Sequence, residues 1–548
     1  MPPPSPAPAR VGRLRLAGLL FLAMASGALL NNQLFRPSSD NPEGTARGYL
    51  RFKEILSYVD RDYADTVDTE ALADYAVAQM LEKLDPHSVY IPARDRANTD
   101  AFLQGDYDGV GIEFNLARDT MTVVAPLSGG PAELAGVQPG DQILSLGGRR
   151  VSGARLSNAQ LQQLLRGPKG STVAVELKRR GAARPISLTL ARSRISNNSV
   201  EAAYLIDPET GYIKVNRFAA STYDDFHQAL LELRQHGLSR LILDLRGNPG
   251  GYLDRATKLA DEFIAGSRKI VYTEGKGDQY DTQTYARTTG EFEEGSLVVL
   301  VDEGSASAAE VLAGALQDHD RALLVGRRTF GKGLVQQPIP LSDGGELRLT
   351  IARYYTPSGR SIQKPYGASY AEYSRDLAER EKRGELASAD SNRFAKALRY
   401  RTDHGRPVYG GGGIMPDIFV PRDSLAHSSY FTQLQGKGLL RAFALTFYQQ
   451  HKAELEGLRF EQFNSTFRID DQQLATLAAQ ATRDGVKAEP GAARRCAPLL
   501  RNHLKAYIAR SAYGLVPYYT VLRENDRELQ RALTAVSDST VMLALLKK

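Results

Sequence analysis

Apolar residues along the chain follow changing periods, and each change marks a different kind of structure. Between residues 49 and 84 they recur three and four positions apart, which predicts amphipathic helices. Between 106 and 190, short apolar runs alternate with tight turns, which predicts a small α+β unit. Apolar strands then alternate with helical segments between 196 and 422, the pattern of an α/β core. Beyond Ser424 the spacing is again helical.

These periods predict a multidomain protein, and a chain of 548 residues is long enough for three or four domains. The fold class is an α/β core joined to a small α+β domain, with helical N- and C-terminal extensions. The predicted segments are a leader and anchor at 1–35, a helical region at 36–103, the small domain at 104–193, the core at 194–423 with a charged helical surface insertion at 366–409, and a helical region at 424–548.

The composition is that of a soluble globular protein, with 42% hydrophobic and 24% charged residues. The net charge of +6 is small beside 69 basic and 63 acidic side chains and is spread through the chain, so nucleic-acid binding is not expected. Cys496 is the single cysteine, which excludes an intramolecular disulfide. The sequence contains no cluster with metal-ligand spacing, and we expect neither a metal nor an organic cofactor.

The N-terminus has the pattern of an export signal, because three arginines precede an apolar run from Leu16 to Leu30. A spanning helix needs about 20 residues, and an extension to residues 13–35 gives a marginal span. We favour an uncleaved anchor, with a signal peptide cleaved near Ala25 as the alternative. Both interpretations predict a periplasmic or extracytoplasmic protein, and the first anchors it to the inner membrane.

A serine-rich turn joins an apolar strand to an apolar helix and contains Ser305, Ser307 and Glu310. Ser307 would stand at the helix N-terminus, where the backbone N–H of Ala308 is suited to an oxyanion formed beside the serine. The same pattern fits a plain helix cap, with Ser307 and Glu310 forming a capping box. Taken alone, this motif favours the helix-cap interpretation of Ser307 over the catalytic one.

A lysine flanked by glycines, Lys332, follows the next apolar strand. One interpretation is a solvated lysine in a turn, and the other is a general base. An ordinary lysine has a pKa of ~10.4 and is charged at pH 7, whereas burial in an apolar pocket would lower the pKa towards ~7–8. Gln336 is placed to orient the amine by hydrogen bonding without adding a charge.

A third motif runs from Asp244 to Gly251, directly after an apolar strand. Its paired glycines, Gly250 and Gly251, would expose backbone N–H groups suited to a second oxyanion donor. A tight turn without chemistry remains an equal alternative at this point.

Together the three motifs resemble those of the C-terminal processing peptidases, also called tail-specific proteases, over about residues 106–421. The resemblance implies a ClpP/crotonase-like α/β protease core and a serine endopeptidase with a Ser-Lys pair. Ser307 is then the implied nucleophile, Lys332 the implied general base and Gln336 the residue that positions the lysine. The implied oxyanion hole uses the N–H groups of Ala308 and of Gly250 or Gly251.

The small α+β unit resembles a PDZ domain in the stretch from Gly130 to Asp141. This implies that the C-terminal tail of a substrate binds as an added strand, with its carboxylate held by backbone N–H groups. The implied peptide-binding residues are Gly109, Val110, Gly111, Ile112, Leu161 and Leu165. Core packing is the alternative for the leucines, and Glu113 is expected to point to solvent.

The expected partners are protein substrates with accessible C-terminal tails and the inner membrane. Terminal helical segments of relatives form dimers in some cases, so a homodimer is a further expectation. The apolar stripe from Leu439 to Phe447 fits a dimer surface and core packing equally well. Two rival functions remain open, a catalytically silent PDZ scaffold and a peptidase that is inactive until its PDZ unit moves. The joint presence of Ser307, Lys332 and Gln336 argues against the scaffold.

Overall fold

The structure is a computed structural model that describes residues 42–538 except 118, 128, 367–369 and 393–397, together with 540 and 542. The predicted leader and anchor at 1–35 lie outside the described residues. Within the described part of the chain, no helix combines the length and apolar character needed to cross a membrane. The chain divides into two compact units, with the boundary between Gln79 and Met80.

The first unit holds helix α1 (Pro42–Asp62) and most of helix α2 (Thr69–Glu82). The spacing of apolar residues predicted helices here, and helices are found. Their apolar side chains are nevertheless open to solvent, since Phe52 is 44% and Ile55 is 56% exposed. The periodicity therefore marks an apolar face of α1 that the first unit does not bury within itself.

The second unit begins with a small β-rich domain. Its elements and those that lead into it are β1 (Val89–Ile91), α3 (Ala93–Gln104), β2 (Asp106–Gly109), β3 (Ile112–Ala117), β4 (Thr120–Pro126), α4 (Pro131–Leu134), β5 (Gln142–Leu146), β6 (Arg149–Arg150), α5 (Asn158–Leu165), β7 (Thr172–Lys178), β8 (Ile186–Ala191) and β9 (Ser193–Ser196). Strands β3-β4-β5-β7-β8 form an antiparallel sheet in that order, and β6 pairs with β5. Strand β3 is an edge strand of this sheet, and Leu161 of α5 lies in its core.

The α/β core follows. Its elements are β10 (Val200–Leu205), β11 (Thr210–Val215), α6 (Thr222–Gln235), β12 (Arg240–Asp244), α7 (Leu253–Asp261), β13 (Lys269–Gly275), β14 (Thr282–Tyr285), β15 (Ser296–Val301), α8 (Ala308–Asp318), β16 (Leu323–Gly326), β17 (Leu334–Pro340), β18 (Glu346–Tyr355), α9 (Tyr370–Lys382), β19 (Arg399–Arg401), β20 (Pro407–Tyr409) and β21 (Ile418–Phe419). The central sheet has the order β10-β11-β12-β15-β16-β21 and is parallel except for the β10–β11 pair. A second, antiparallel sheet has the order β1-β18-β13-β14, with β17 also paired to β18.

The C-terminal region is helical, as its pattern predicted. Its helices are α10 (Ser429–Gly436), α11 (Leu439–Gln450), α12 (Lys452–Glu456), α13 (Phe460–Thr466), α14 (Asp471–Arg483), α15 (Ala492–Tyr513), α16 (Leu515–Leu522) and α17 (Arg527–Ser537). Leu439, Leu440, Phe443 and Leu445 are buried in the core of this region, so the stripe on α11 serves packing.

Successive side chains of a strand point to opposite faces of the central sheet, and the two faces have different covers. Leu241 and Leu243 of β12 share a hydrophobic cluster with residues of α6, α7 and α8. Ile242, between them, packs in a separate cluster with Leu529 and Ala532 of α17. Helix α17 thus covers the second face of the central sheet.

The expected surface insertion at 366–409 lies only partly on the surface. Arg380 of α9 is 1% exposed, and its guanidinium donates hydrogen bonds to the carbonyl oxygens of Arg328 (2.7 Å) and Thr329 (3.1 Å). The insertion therefore supports the backbone just before Lys332.

Candidate active site

Ser307 stands at the sharp turn between β15 and α8, in a backbone conformation that a non-glycine residue rarely adopts (φ 57°, ψ −118°). The surrounding bonds fix that turn. Ser305 donates its hydroxyl hydrogen to the carbonyl of Leu245 at 2.8 Å, as expected of a structural serine. Strained positions of this kind concentrate at functional sites.

The hydroxyl of Ser307 is not used as a helix cap. Its Oγ lies 3.4 Å from the hydroxyl of Tyr354 on β18, whereas the backbone N–H of Ser307 donates to Glu310 at 2.9 Å. The second of these contacts is the Glu310 half of the predicted capping box. The nucleophile interpretation therefore requires no cap to be broken.

Lys332 lies in the loop between β16 and β17, and its amine donates a hydrogen bond to Oε1 of Gln336 at 3.1 Å. The amide of Gln336 in turn donates to the backbone carbonyl of His87. A register shift in β17 between Val335 and Gln336 accompanies this placement. The structure thus joins Lys332 and Gln336, as the sequence predicted, and adds His87, for which the motifs gave no signal.

Burial lowers the pKa of Lys332 below its ordinary value, and the nearby charge of Arg348 lowers it further. Glu310 and Asp85 act in the opposite direction, because a negative neighbour favours the charged amine. The net direction is towards a neutral amine, the form that accepts a proton.

Glu310 is fully buried and connects the serine turn to the lysine loop. Its carboxylate accepts hydrogen bonds from the hydroxyl of Thr329 and from the backbone N–H groups of Ser307 (2.9 Å), Gly331 (2.7 Å) and Lys332 (2.8 Å). Burial raises the pKa of Glu310 to about 7, although these four donors act to lower it. One side chain therefore fixes the backbone beside both predicted catalytic residues.

The glycine turn lies directly against Ser307. A Cβ atom on Gly250 would come within 2.8 Å of the Cβ of Ser307 and of the carbonyl oxygen of Ala306. The N–H of Gly250 donates to the side chain of Asn248 at 2.8 Å. No hydrogen bond is seen from the N–H of Gly251 or of Ala308 to any described residue. Of the two glycines, Gly251 is therefore the one whose N–H is available.

The turn at residues 85–88 supports Gln336 from the other side. Asp85 accepts hydrogen bonds from the backbone N–H groups of His87 and Ser88, each at 2.8 Å, and from the hydroxyl of Thr350 at 3.0 Å. The imidazole of His87 lies 2.7 Å from the hydroxyl of Tyr373, and burial lowers its pKa to about 3, which keeps the ring neutral. This turn fixes the carbonyl that Gln336 contacts.

The predicted peptide-binding residues separate into two groups. Val110, Gly111, Ile112 and Leu165 line a cavity of about 640 Å³ between β3 and α5. Leu161 is instead fully buried in the core of the small domain, and Gly109 does not line the cavity. The expectation for Glu113 was wrong, because its carboxylate pairs with Arg510 at 2.6 Å rather than pointing to solvent. No sequence pattern indicated that contact between residues so far apart in the chain.

This arrangement of an α/β core with a strained serine and a partly buried lysine, joined to a small domain with an open groove, defines a PDZ-containing serine peptidase. Models of known families agree with it. Peptidase family S41 matches residues 209–369, a PDZ domain matches 122–179, and a family of unknown function matches 430–514. The described residues contain no group of three or more His, Cys, Asp or Glu that could hold a metal ion.

Similar proteins indicate which group of serine peptidases this chain resembles. The carboxy-terminal-processing protease of Bartonella bacilliformis is 36% identical over 365 residues, which cover 64% of this chain and 83% of that protein. The carboxyl-terminal-processing protease of Synechocystis sp. is 40% identical over 299 residues, or 53% and 68% of the two chains. A solved photosystem II D1 C-terminal processing protease is 33% identical and covers 57% and 83%, with a TM-score of 0.33. The chain belongs to the carboxy-terminal processing proteases of peptidase family S41.

Proposed function

We propose that the protein is an endopeptidase in which Ser307 attacks the peptide bond and Lys332 acts as the general base. The observation that carries this proposal is the environment of the lysine. Its amine is partly buried, is held by Gln336 at 3.1 Å and has a lowered pKa. A partly buried amine that forms no ion pair with a carboxylate of the described residues is suited to proton transfer rather than to a structural ion pair.

In the proposed reaction, neutral Lys332 takes the proton of the Ser307 hydroxyl while Oγ bonds to the scissile carbonyl carbon. The N–H groups of Ala308 and Gly251 are the proposed donors to the resulting oxyanion. Collapse of this intermediate breaks the C–N bond, and the leaving amine takes the proton from Lys332. Water then hydrolyses the acyl-enzyme with the same lysine as base.

The described residues show no hydrogen bond between Ser307 and Lys332. Ser307 is next to Tyr354 instead, and Lys332 is bonded to Gln336. Catalytic hydrogen bonds are often long before substrate binds and tighten in the enzyme–substrate complex, and the proposed pair would form there. A peptidase that becomes active when a tail occupies the PDZ groove and a constitutively active peptidase are both consistent with this arrangement.

We further propose that the substrates are exported proteins with accessible C-terminal tails. The support comes from the sequence, because arginines precede the apolar run from Leu16 to Leu30. The same segment is the proposed inner-membrane anchor, with the catalytic part on the periplasmic or extracytoplasmic side.

A labelled serine-reactive probe tests the catalytic assignment. The full chain should be labelled at Ser307, whereas Ser307→Ala should not, and Lys332→Ala should lose casein digestion while still folding. Digestion with and without a free apolar C-terminal peptide separates a tail-activated from a constitutive enzyme. Full digestion by Lys332→Ala would overturn the proposal. A comparison of exported protein termini in wild-type and Ser307→Ala cells tests the substrate class.

A further inference from the structure

The groove of the PDZ domain has a second wall that comes from the C-terminal helical region. The cavity of about 640 Å³ beside Val110 and Ile112 is also lined by Arg510 and Leu515. A neighbouring cavity of about 460 Å³ continues between β3, α5 and the helices α10, α11 and α15. We call these two cavities together the tail groove.

Direct bonds hold this second wall against the edge strand β3. Asn115 donates a hydrogen bond from its side-chain amide to the carbonyl of Gly438 at 3.1 Å. Glu113 pairs with Arg510 at 2.6 Å and with Arg441 at 3.8 Å. The outward-facing residues of β3 therefore contact the C-terminal region, while Ile112 points into the domain core.

The second wall presents two positive charges to β3, and β3 supplies one negative charge to pair with them. Two guanidinium groups, those of Arg441 and Arg510, share the single carboxylate of Glu113. Both are held in place by aromatic rings, Arg441 over Tyr507 and Arg510 over Tyr518, each 5.6 Å from the ring centre. They are partly exposed, with 43% and 22% of their side chains open to solvent.

We propose that the C-terminal helical region selects substrate tails with an acidic penultimate residue, which Arg510 and Arg441 bind. This inference rests on the proposed binding of substrate tails and deepens it. It also gives a role to residues 430–514, which match a family without known function.

The geometry of strand addition selects the penultimate position. A tail that extends the sheet at β3 presents its side chains alternately to the two sides. The terminal side chain faces Val110, Ile112 and Leu165, so the penultimate one faces the other side, where Glu113 meets Arg510. A carboxylate there would compete with Glu113 for the arginines, and a lysine would be repelled.

Fluorescence polarisation with labelled decapeptides tests this, using the full chain with Ser307→Ala so that peptides are not cut. Peptides ending in Glu-Leu, Gln-Leu and Lys-Leu are compared, each as a free acid and as a C-terminal amide. We expect the Glu-Leu acid to bind about three- to fivefold more tightly than the Gln-Leu acid, as for a partly exposed ion pair. Arg510→Gln should reduce this preference to about twofold or less.

Two further variants distinguish a specific loss of the ion pair from general damage to the groove. Glu113→Gln removes the competing carboxylate and should strengthen Glu-Leu binding a few-fold without strengthening Lys-Leu binding. Arg468→Gln removes an exposed arginine of the same region that lines neither cavity, and should leave the preference unchanged. Arg510→Gln could also abolish binding of the Gln-Leu peptide, which would indicate a damaged groove. In that case the test is Glu113→Gln, which should strengthen Glu-Leu binding if the proposal holds.

The outcomes separate the two proposals. Free-acid peptides that bind without a preference for Glu-Leu, or with a preference that survives Arg510→Gln, overturn the role of the second wall and leave tail binding intact. Free-acid peptides that bind no better than their amides overturn tail binding in the PDZ groove, and this inference with it.

Discussion

The amine of Lys332 is held among charges that act on its pKa in opposite directions. Burial and Arg348 lower it, while Glu310 and Asp85 raise it. In the proposed mechanism the active form is the neutral amine, so kcat/KM should rise with pH through the pKa of this lysine. The pH at which kcat/KM rises therefore reports the net effect of burial and neighbouring charges on the pKa of Lys332.

Replacement of Arg348 tests this balance. Arg348→Gln removes a positive charge that lowers the pKa of Lys332, so the rise in kcat/KM should move to higher pH. At pH 7 the variant should be several-fold slower, because a smaller fraction of the amine is neutral at that pH. Arg353→Gln on the same strand, whose guanidinium bonds to Tyr366 at 3.2 Å, is the matched control and should keep the wild-type profile. A profile unchanged in Arg348→Gln would show that the rise belongs to another group.

The sequence predicted those site residues that lie close together along the chain, and it missed contacts that only the tertiary fold creates. Lys332 and Gln336 lie four positions apart, and the structure joins them. Tyr354 was not predicted, because its approach to Ser307 depends on the position of β18 beside the central sheet. Glu310 was predicted only as a cap, since its bonds to the lysine loop span more than 20 positions in sequence.

Among the elements, the glycine turn after β12 makes the closest approach to Ser307. A side chain on Gly250 would meet Ser307 and Ala306 at 2.8 Å, whereas one on Gly247 would meet nothing within 4 Å. Both glycines have positive φ, 96° and 69°, so both substitutions carry backbone strain. The two differ in whether the added methyl group enters the site.

This pair gives a matched test of the turn. Gly250→Ala should lower kcat by at least about 100-fold, because the methyl group displaces Ser307 or the oxyanion donors, and each lost donor costs that much. Gly247→Ala should cost about 1 kcal/mol of stability and leave kcat within about threefold of wild type. Peptide-cleavage assays and thermal unfolding measure the two effects. Equal losses of kcat in both variants would assign the effect to strain alone.

The turn at 85–88 is a second such element, because it fixes the His87 carbonyl that Gln336 contacts and acts through Gln336 rather than on substrate. Asp85→Asn weakens the hydrogen bonds that fix the His87 carbonyl and also removes a charge that raises the pKa of Lys332. We expect kcat to fall about tenfold with KM unchanged, while the rise of kcat/KM moves to lower pH. A purely structural role would lower kcat without moving the profile. Asp343→Asn, which loses a similar turn contact to Gly345, is the control.

Over the whole molecule, the strands and helices of the core could be predicted because each carries its own apolar pattern. The apolar run at 142–146 predicts a strand and the helical spacing at 158–165 predicts an amphipathic helix, and both elements have these bounds in the structure. The contact between β3 and the C-terminal helices could not be predicted, because ion pairs such as Glu113–Arg510 leave no periodic signal. For α1, the pattern located an apolar face but could not say what covers it.

That face bears on the expected homodimer, which stays a prediction. Since the stripe on α11 is buried, the large apolar side chains of α1 are the better candidates for a subunit contact. Tyr49, Leu50, Ile55 and Tyr58 are each more than half exposed. The full chain in detergent should sediment as a dimer in density-matched ultracentrifugation. Ile55→Glu should weaken the dimer at least tenfold by burying a charge, whereas Lys53→Glu, an exposed polar position of the same helix, should not. A monomeric wild type, or a dimer indifferent to Ile55→Glu, would exclude α1 as the contact.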